Sequence, residues 1–262
     1  MIESDPAVRG HIEMLASRVF QTETKWPHFR LLLRNLIDWS NRLASDATVV
    51  SLERTLLYGG ASLFAPLFRR QHFISVDSSP ESARDRGAYN AGMIDDPRCI
   101  RVPFTLHAPI DATGLEAGVA DLVTIPNLVH HVGDQQGLFA EVARLLKPGG
   151  TAYVFEPLVR ELHQMPDDYL RYTPFGMAAE LAKAGLEAGP FELEGGPFSA
   201  IAYCWTQALE YFPEAERSRI QQWFYDDHFP QLMQWDEKYR DNLVREHTQF
   251  PVSFSIVARK PA

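Results

Sequence analysis

Between residues 48 and 155 short apolar, β-branched runs alternate with segments of helical periodicity, and no other feature narrows the choice of fold so far. Strands are expected at Thr48–Leu52, His72–Val76, Cys99–Val102, Asp121–Ile125 and Thr151–Phe155. A helix between Asp134 and Leu146 precedes the last of them. Strands joined through helices run parallel, and a parallel sheet must be covered on both faces. A helix over Phe175–Ala184 closing at Gly185, a strand at Phe191–Leu193 and a final strand at Val252–Ala258 extend the pattern. The expected fold is α/β, a seven-stranded, mostly parallel sheet with helices on both faces.

Two further regions flank this unit. From Pro6 to Leu43 apolar residues recur at helical spacing, broken at Lys25-Trp26-Pro27, so residues 1–46 are expected to form a helical cap. The sheet domain then takes residues 47–197 and 250–262. Residues 198–249 are too long for a plain connection and dense in aromatics, among them Tyr203, Trp205, Trp223, Phe224, Tyr225 and Trp235. They read as a helical insertion before the last strand, whose aromatic stripe suits packing, a homodimer contact or a lid over bound sugar.

Composition excludes several classes. A net charge of -9 over 262 residues opposes broad contact with a phosphate backbone, so nucleic acid is not an expected partner. Cys99 and Cys204 have no CxxC or Cys/His spacing, and no metal is expected. The opening MIESDPAVRG lacks the basic start and apolar run of a signal peptide, and no stretch reaches about 18 apolar residues. No membrane association and a cytoplasmic location are therefore expected.

The stretch DLVTIPNLVHHVGDQQGLFAEVARLLKPGGTAYVFEP, Asp121 to Pro157, resembles the class I S-adenosylmethionine-dependent methyltransferases, in the group that modifies small molecules and glycans. The ordered series carries the likeness: an Asp-apolar-Val strand, a His-His pair, and a helix closing in Leu-Lys-Pro-Gly-Gly before an apolar strand. It implies a Rossmann-like fold, S-adenosylmethionine as cofactor, and methyl transfer to a small-molecule or saccharide acceptor, on oxygen. The segment MPDDYLRYTPFGMAAELAKAGLEAG is similar to a Tyr-x-Arg-(Phe/Tyr)-Thr-Pro-x-Gly stretch of relatives from polysaccharide pathways, although Thr173-Pro174 reads equally as a helix start.

Ligands of an open parallel sheet bind at the carboxyl ends of its strands, near the point where strand order reverses. After the first strand the family carries an acid and then spaced glycines. Here VVSLERTLLYGGASLFAPLF offers Glu53 as the acid, puts Thr55 and Leu57 where the first glycines belong, and leaves Gly59 and Gly60. Asp77, with Ser78 beside it, is the candidate for the ribose hydroxyls; the alternative is an N-cap for the next helix. Asn127 is placed by the resemblance beside the sulfonium. No acid follows the third strand before Asp111, so adenine is expected to rest on backbone and apolar contacts.

Methyl transfer is an in-line displacement governed by positioning, and a general base is needed only for a weakly acidic nucleophile. His130 and His131 are the candidate bases and Tyr172 a further catalytic candidate; packing beneath a helix, or a bond to a carbonyl, is the bland alternative for the histidines. Glu156, Tyr169 and Arg171 are expected around the acceptor, whereas His163 and Asp167 read as solvent-facing. The altered glycine loop also admits an inactive methyltransferase-like scaffold or partner protein. A nicotinamide oxidoreductase is disfavoured, since no GxGxxG follows the first strand.

Overall fold

The computed structural model describes residues 1–54, 60–79, 95–242 and 249–262. Seven strands form one sheet: β1 (Thr48–Glu53), β2 (His72–Asp77), β3 (Leu106–His107), β4 (Ala120–Pro126), β5 (Leu146–Pro157), β6 (Glu187–Glu194) and β7 (Ser253–Arg259). They lie in the order β3-β2-β1-β4-β5-β7-β6. β1 to β5 pair in parallel, while β7 runs antiparallel between β5 and β6. The order reverses between β1 and β4, which fixes where a ligand crevice should open.

Alternation along the central strands divides the core in two, because successive side chains point to opposite faces. Val49, Leu122, Tyr153 and Phe155 join the cluster formed with α1 (Pro6–Met14) and α2 (Phe29–Arg42). Val50, Leu52, Val123, Ile125 and Val154 join the cluster formed with α3 (Gln135–Leu145) and α4 (Pro174–Lys183). The helix starts follow the sequence signals: Asp5 accepts from Ala7 N at 2.9 Å ahead of Pro6, and Thr173 accepts from Gly176 N at 3.1 Å ahead of Pro174.

One strand expectation needs correction. Residues 99–101 form no strand; Val102–Pro103 instead pairs antiparallel with Ala61–Ser62, and the sheet edge is Leu106–His107. The cause is Thr105, whose hydroxyl accepts from Ser75 N at 3.1 Å in place of a main-chain carbonyl and so delays regular pairing.

The insertion is helical, with α5 (Pro197–Ala208), α6 (Glu214–Trp223) and α7 (Phe229–Tyr239). Its own core is small: Ala202, Phe224 and Phe229 are buried, with Trp205, Tyr225, Leu232 and Met233 packed around them. Among the described residues no helix is long and apolar enough to cross a membrane.

Candidate functional site

The carboxyl ends of β1 and β2 carry two buried carboxylates side by side. Glu53 pairs in register with Asp77, and the two are 2% exposed each. Glu53 Oε1 accepts from the Ser62 hydroxyl at 2.8 Å, while Oε2 has no hydrogen-bond partner among the described residues. Burial, with a further contribution from the Asp77 charge, pushes the Glu53 carboxyl up to about 8. Asp77 Oδ1 accepts from the Ser79 amide at 2.9 Å and its hydroxyl at 2.6 Å, and Oδ2 lies 3.0 Å from His107 Nδ1. The Asp77 carboxylate thus organises the turn after β2, and His107, which no sequence motif singles out, meets it from the edge strand. Ser78 donates its amide and hydroxyl to the Glu53 carbonyl, at 2.9 and 3.1 Å, and locks the tips of the two strands together. Gly60 takes a φ of +75°, a conformation that glycine adopts without strain. Gly59, Thr55 and Leu57 lie outside the described residues.

The ends of β4 and β5 are built differently. Asn127 leaves β4 with φ of +61°, its amide bonded to the Phe155 carbonyl at 2.9 Å and its side-chain Oδ1 buried without a partner among the described residues. A non-glycine residue in that region is strained, and the surroundings must enforce it. The Val129–His131 turn follows. Glu156, 1% exposed at the end of β5, accepts from Val129 N at 2.8 Å, His130 N at 3.3 Å and His130 Nδ1 at 2.6 Å. Its carboxylate is thereby spent on the turn, which corrects the expectation that it faces the acceptor.

His131 Nδ1 donates to the Asp167 carbonyl at 2.6 Å. His163 is not solvent-facing: its side chain is 14% exposed, and its ring lies 5.3 Å from that of His130 and 4.8 Å from that of His131. Asp167 departs from expectation as well, forming a 2.7 Å ion pair with Arg54, whose side chain is 8% exposed. Arg54 also donates to the His131 carbonyl, at 3.4 Å, and so ties the tip of β1 to the histidine turn. Burial lowers His131 to about 2 and His163 to about 4, each helped by neighbouring positive charge, so both rings are neutral at physiological pH.

Between the two halves opens a cavity of about 270 Å³ lined by Arg54, Ser78, Ile110, Leu128, His131 and Asp134, among others. It sits where the strand order reverses. Of the expected acceptor residues, Tyr169 reaches this rim, its ring 3.5 Å from where a side chain on the cavity-lining Gly133 would begin. Arg171 is taken by Asp168 in a two-pronged pair at 2.5 and 3.0 Å. Tyr172 packs against the core beside α4 and does not line the cavity.

Residues 58–154 match the family model described as a methyltransferase domain. A dimethylglycine N-methyltransferase of Parasynechococcus marenigrum (strain WH8102) is 30% identical over 129 residues, 48% of this chain and 43% of the relative. The chain thus matches less than half the length of that protein. Among solved structures, a protein described as a methyltransferase from Bacillus halodurans C-125 superposes with a TM-score of 0.51 at 14% identity, over 87% of this chain and 98% of that one. The 4+2 cyclase SpnF superposes with a TM-score of 0.51 at 17% identity, over 91% and 84%. Residues 58–154 thus resemble the methyltransferase-domain family, and the chain shares the Rossmann-like fold of these solved structures.

Proposed function

We propose that the chain is an S-adenosylmethionine-dependent methyltransferase that acts on an oxygen of a small molecule or glycan precursor. The observation that carries this reading is the pair of buried carboxylates, Glu53 and Asp77, at adjoining strand tips beside a cavity at the reversal of strand order. Asp77 and Ser78 would receive the ribose hydroxyls, and Pro109 and Ile110 on the cavity wall would meet the adenine in place of an acid. The unpartnered oxygen of Glu53 suits the ammonium of the methionine half, and Gly59-Gly60 would let the backbone approach it. Asn127 Oδ1, equally unpartnered, lies at the β4 exit where the sulfonium belongs.

His130 and His131 would face the acceptor. A ring with a pKa near 2 stores no proton at neutral pH, so His131 would orient an acceptor hydroxyl through its lone pair. Tyr172 would act through packing beneath the acceptor segment. Exposed Ile201, Trp223 and Trp235 on the insertion fit a homodimer contact, which sedimentation of the purified chain reads directly.

Fold alone does not decide chemistry, as the cyclase illustrates. Titration calorimetry with S-adenosylmethionine and S-adenosylhomocysteine tests the reading. Micromolar binding is expected, and Asp77→Ala should weaken it by about 2–3 kcal/mol, the usual cost of losing hydrogen bonds to a charged group. No heat from either ligand with a folded sample would favour the methyltransferase-like partner protein, to which Thr55 and Leu57 in the glycine positions already point.

A further inference from the structure

Three imidazoles converge at the carboxyl ends of β4 and β5. One ring nitrogen from each of His130, His131 and His163 lies within 4.8 Å of the others. The hydrogen bonding of the rings is uniform. Nδ1 of His130 meets the Glu156 carboxylate at 2.6 Å, Nδ1 of His131 meets the Asp167 carbonyl at 2.6 Å, and Nδ1 of His163 meets the Glu161 carbonyl at 3.1 Å. A carbonyl or carboxylate only accepts, so each Nδ1 carries the proton and each Nε2 is left with its lone pair. The Nε2 atoms of His130 and His131 are buried and have no hydrogen-bond partner among the described residues, and the two residues are 0% and 6% exposed. A buried lone pair without a donor is costly, and here two consecutive residues each carry one.

We propose that His130, His131 and His163 form a binding site for one divalent transition-metal ion, held through their Nε2 atoms. Histidine ligands of metals characteristically give their other ring N–H to a carboxylate or a backbone carbonyl, which fixes the tautomer and aims the ring. All three rings have that arrangement before any ion is present. Three imidazole ligands suit zinc, nickel, cobalt or iron(II), and exclude the hard, oxygen-seeking magnesium and calcium.

Closing a tetrahedral site requires nitrogen separations of roughly 3.4 Å, given metal–nitrogen bonds of about 2.0–2.1 Å. His163, on the irregular segment between β5 and α4, would have to supply that travel, since His130 and His131 are held by the turn. The surrounding charge permits a cation. Arg54, Arg171 and Arg160 are each paired with a carboxylate, Asp167, Asp168 and Glu161, and Glu156 adds a further negative charge in contact with His130. Since His131 lines the cavity, the fourth coordination position would open toward it. Where the methyltransferase reading holds, that places the ion on the acceptor side, where it would take over from the His131 lone pair the orienting of the acceptor oxygen. Metal binding itself does not rest on that reading.

The experiment uses the tag-free full chain, stripped with a chelator, and titrates cobalt(II) and zinc(II) separately in the absence of cofactor. One ion per chain is expected, with visible cobalt d–d bands of a low-coordinate nitrogen site that zinc abolishes. His163→Ala, on the loop, should lower affinity at least tenfold and remove the bands. Glu156→Gln should weaken binding by about 10–100-fold, as loss of a partner behind a ligand does. Circular dichroism confirms that each variant is folded, and His72→Ala, exposed at the amino end of β2, serves as the control. No cobalt spectrum with the folded wild type, or binding unchanged in His163→Ala, overturns the site. Calorimetry with S-adenosylhomocysteine on the same samples reads the cofactor separately, so failure of one assignment is distinct from failure of the other.

Discussion

Glu53 and Glu156 make an instructive pair. Both are glutamates that end or nearly end a strand, β1 and β5, and both are buried, 2% and 1% exposed. Glu156 accepts three hydrogen bonds and defines the turn that presents His130 and His131. Among the described residues Ser62 is the donor within hydrogen-bond geometry to Glu53, on one oxygen, and the second oxygen has none. A fully satisfied buried carboxylate is part of the scaffold, whereas a half-satisfied one carries an unmet cost that a ligand donor can relieve. The same contrast runs along the carboxyl edge: one acid with an unpartnered oxygen at β1, and lone pairs held in place by finished hydrogen bonds at β4.

The largest expected effect separates the two glutamates by stability. Glu156→Ala strands three donors in the interior and should cost on the order of 3–5 kcal/mol. In thermal unfolding the midpoint should fall by roughly 10 °C. A loss no greater than that of Glu53→Ala would break the comparison.

An intermediate effect lies in pH. The folded chain holds the Glu53 proton up to about pH 8, whereas its ordinary value is 4.5. The stability this group contributes is complete below about pH 4.5 and is lost as pH rises through 8. Wild type should therefore lose ground to Glu53→Gln between pH 5 and pH 8, by roughly 8 °C at about 1.4 kcal/mol per pH unit and the lower end of a scale of about 2–4 °C per kcal/mol. Parallel curves for the two proteins would show that Glu53 is not titrating in this window.

The smallest effect concerns Asn127. Glycine removes the strain of its +61° φ but also the idle Oδ1. Asn127→Gly should change stability by less than about 1 kcal/mol while weakening S-adenosylhomocysteine in calorimetry. Unaltered affinity would assign Asn127 to the backbone alone.

Much of the frame was legible in the sequence because each central strand is a β-branched run with its own boundary residue: Val49 and Val50 before Glu53, Ile74 and Val76 before Asp77, Val123 and Ile125 before Asn127. The edge strand was not, since a two-residue contact has no periodicity to read and Thr105 supplies a side-chain bond that propensity does not register. The site divided likewise. His130 and His131 stand at a strand end and announce themselves. His163 is brought to them by a connection without regular structure, and Arg54 reaches Asp167 across 113 residues of chain. No spacing rule encodes such a meeting; a count of histidines between β5 and α4 was the single available hint. The expectation of no metal came from cysteine spacing, which is silent about a three-histidine arrangement.

Arg54 belongs to both halves of the edge. Its backbone continues β1 beside Glu53, while its guanidinium is lodged against Asp167, whose carbonyl holds the His131 ring. Were that guanidinium drawn toward an incoming carboxylate, the residue that anchors an imidazole on the far side of the cavity would lose its ion pair. Tightening the imidazoles would, in turn, make the guanidinium harder to recruit. Reciprocity of linked equilibria requires the two effects to be equal in free energy, so one side chain makes occupancy on the left of the crevice a quantity measurable from the right.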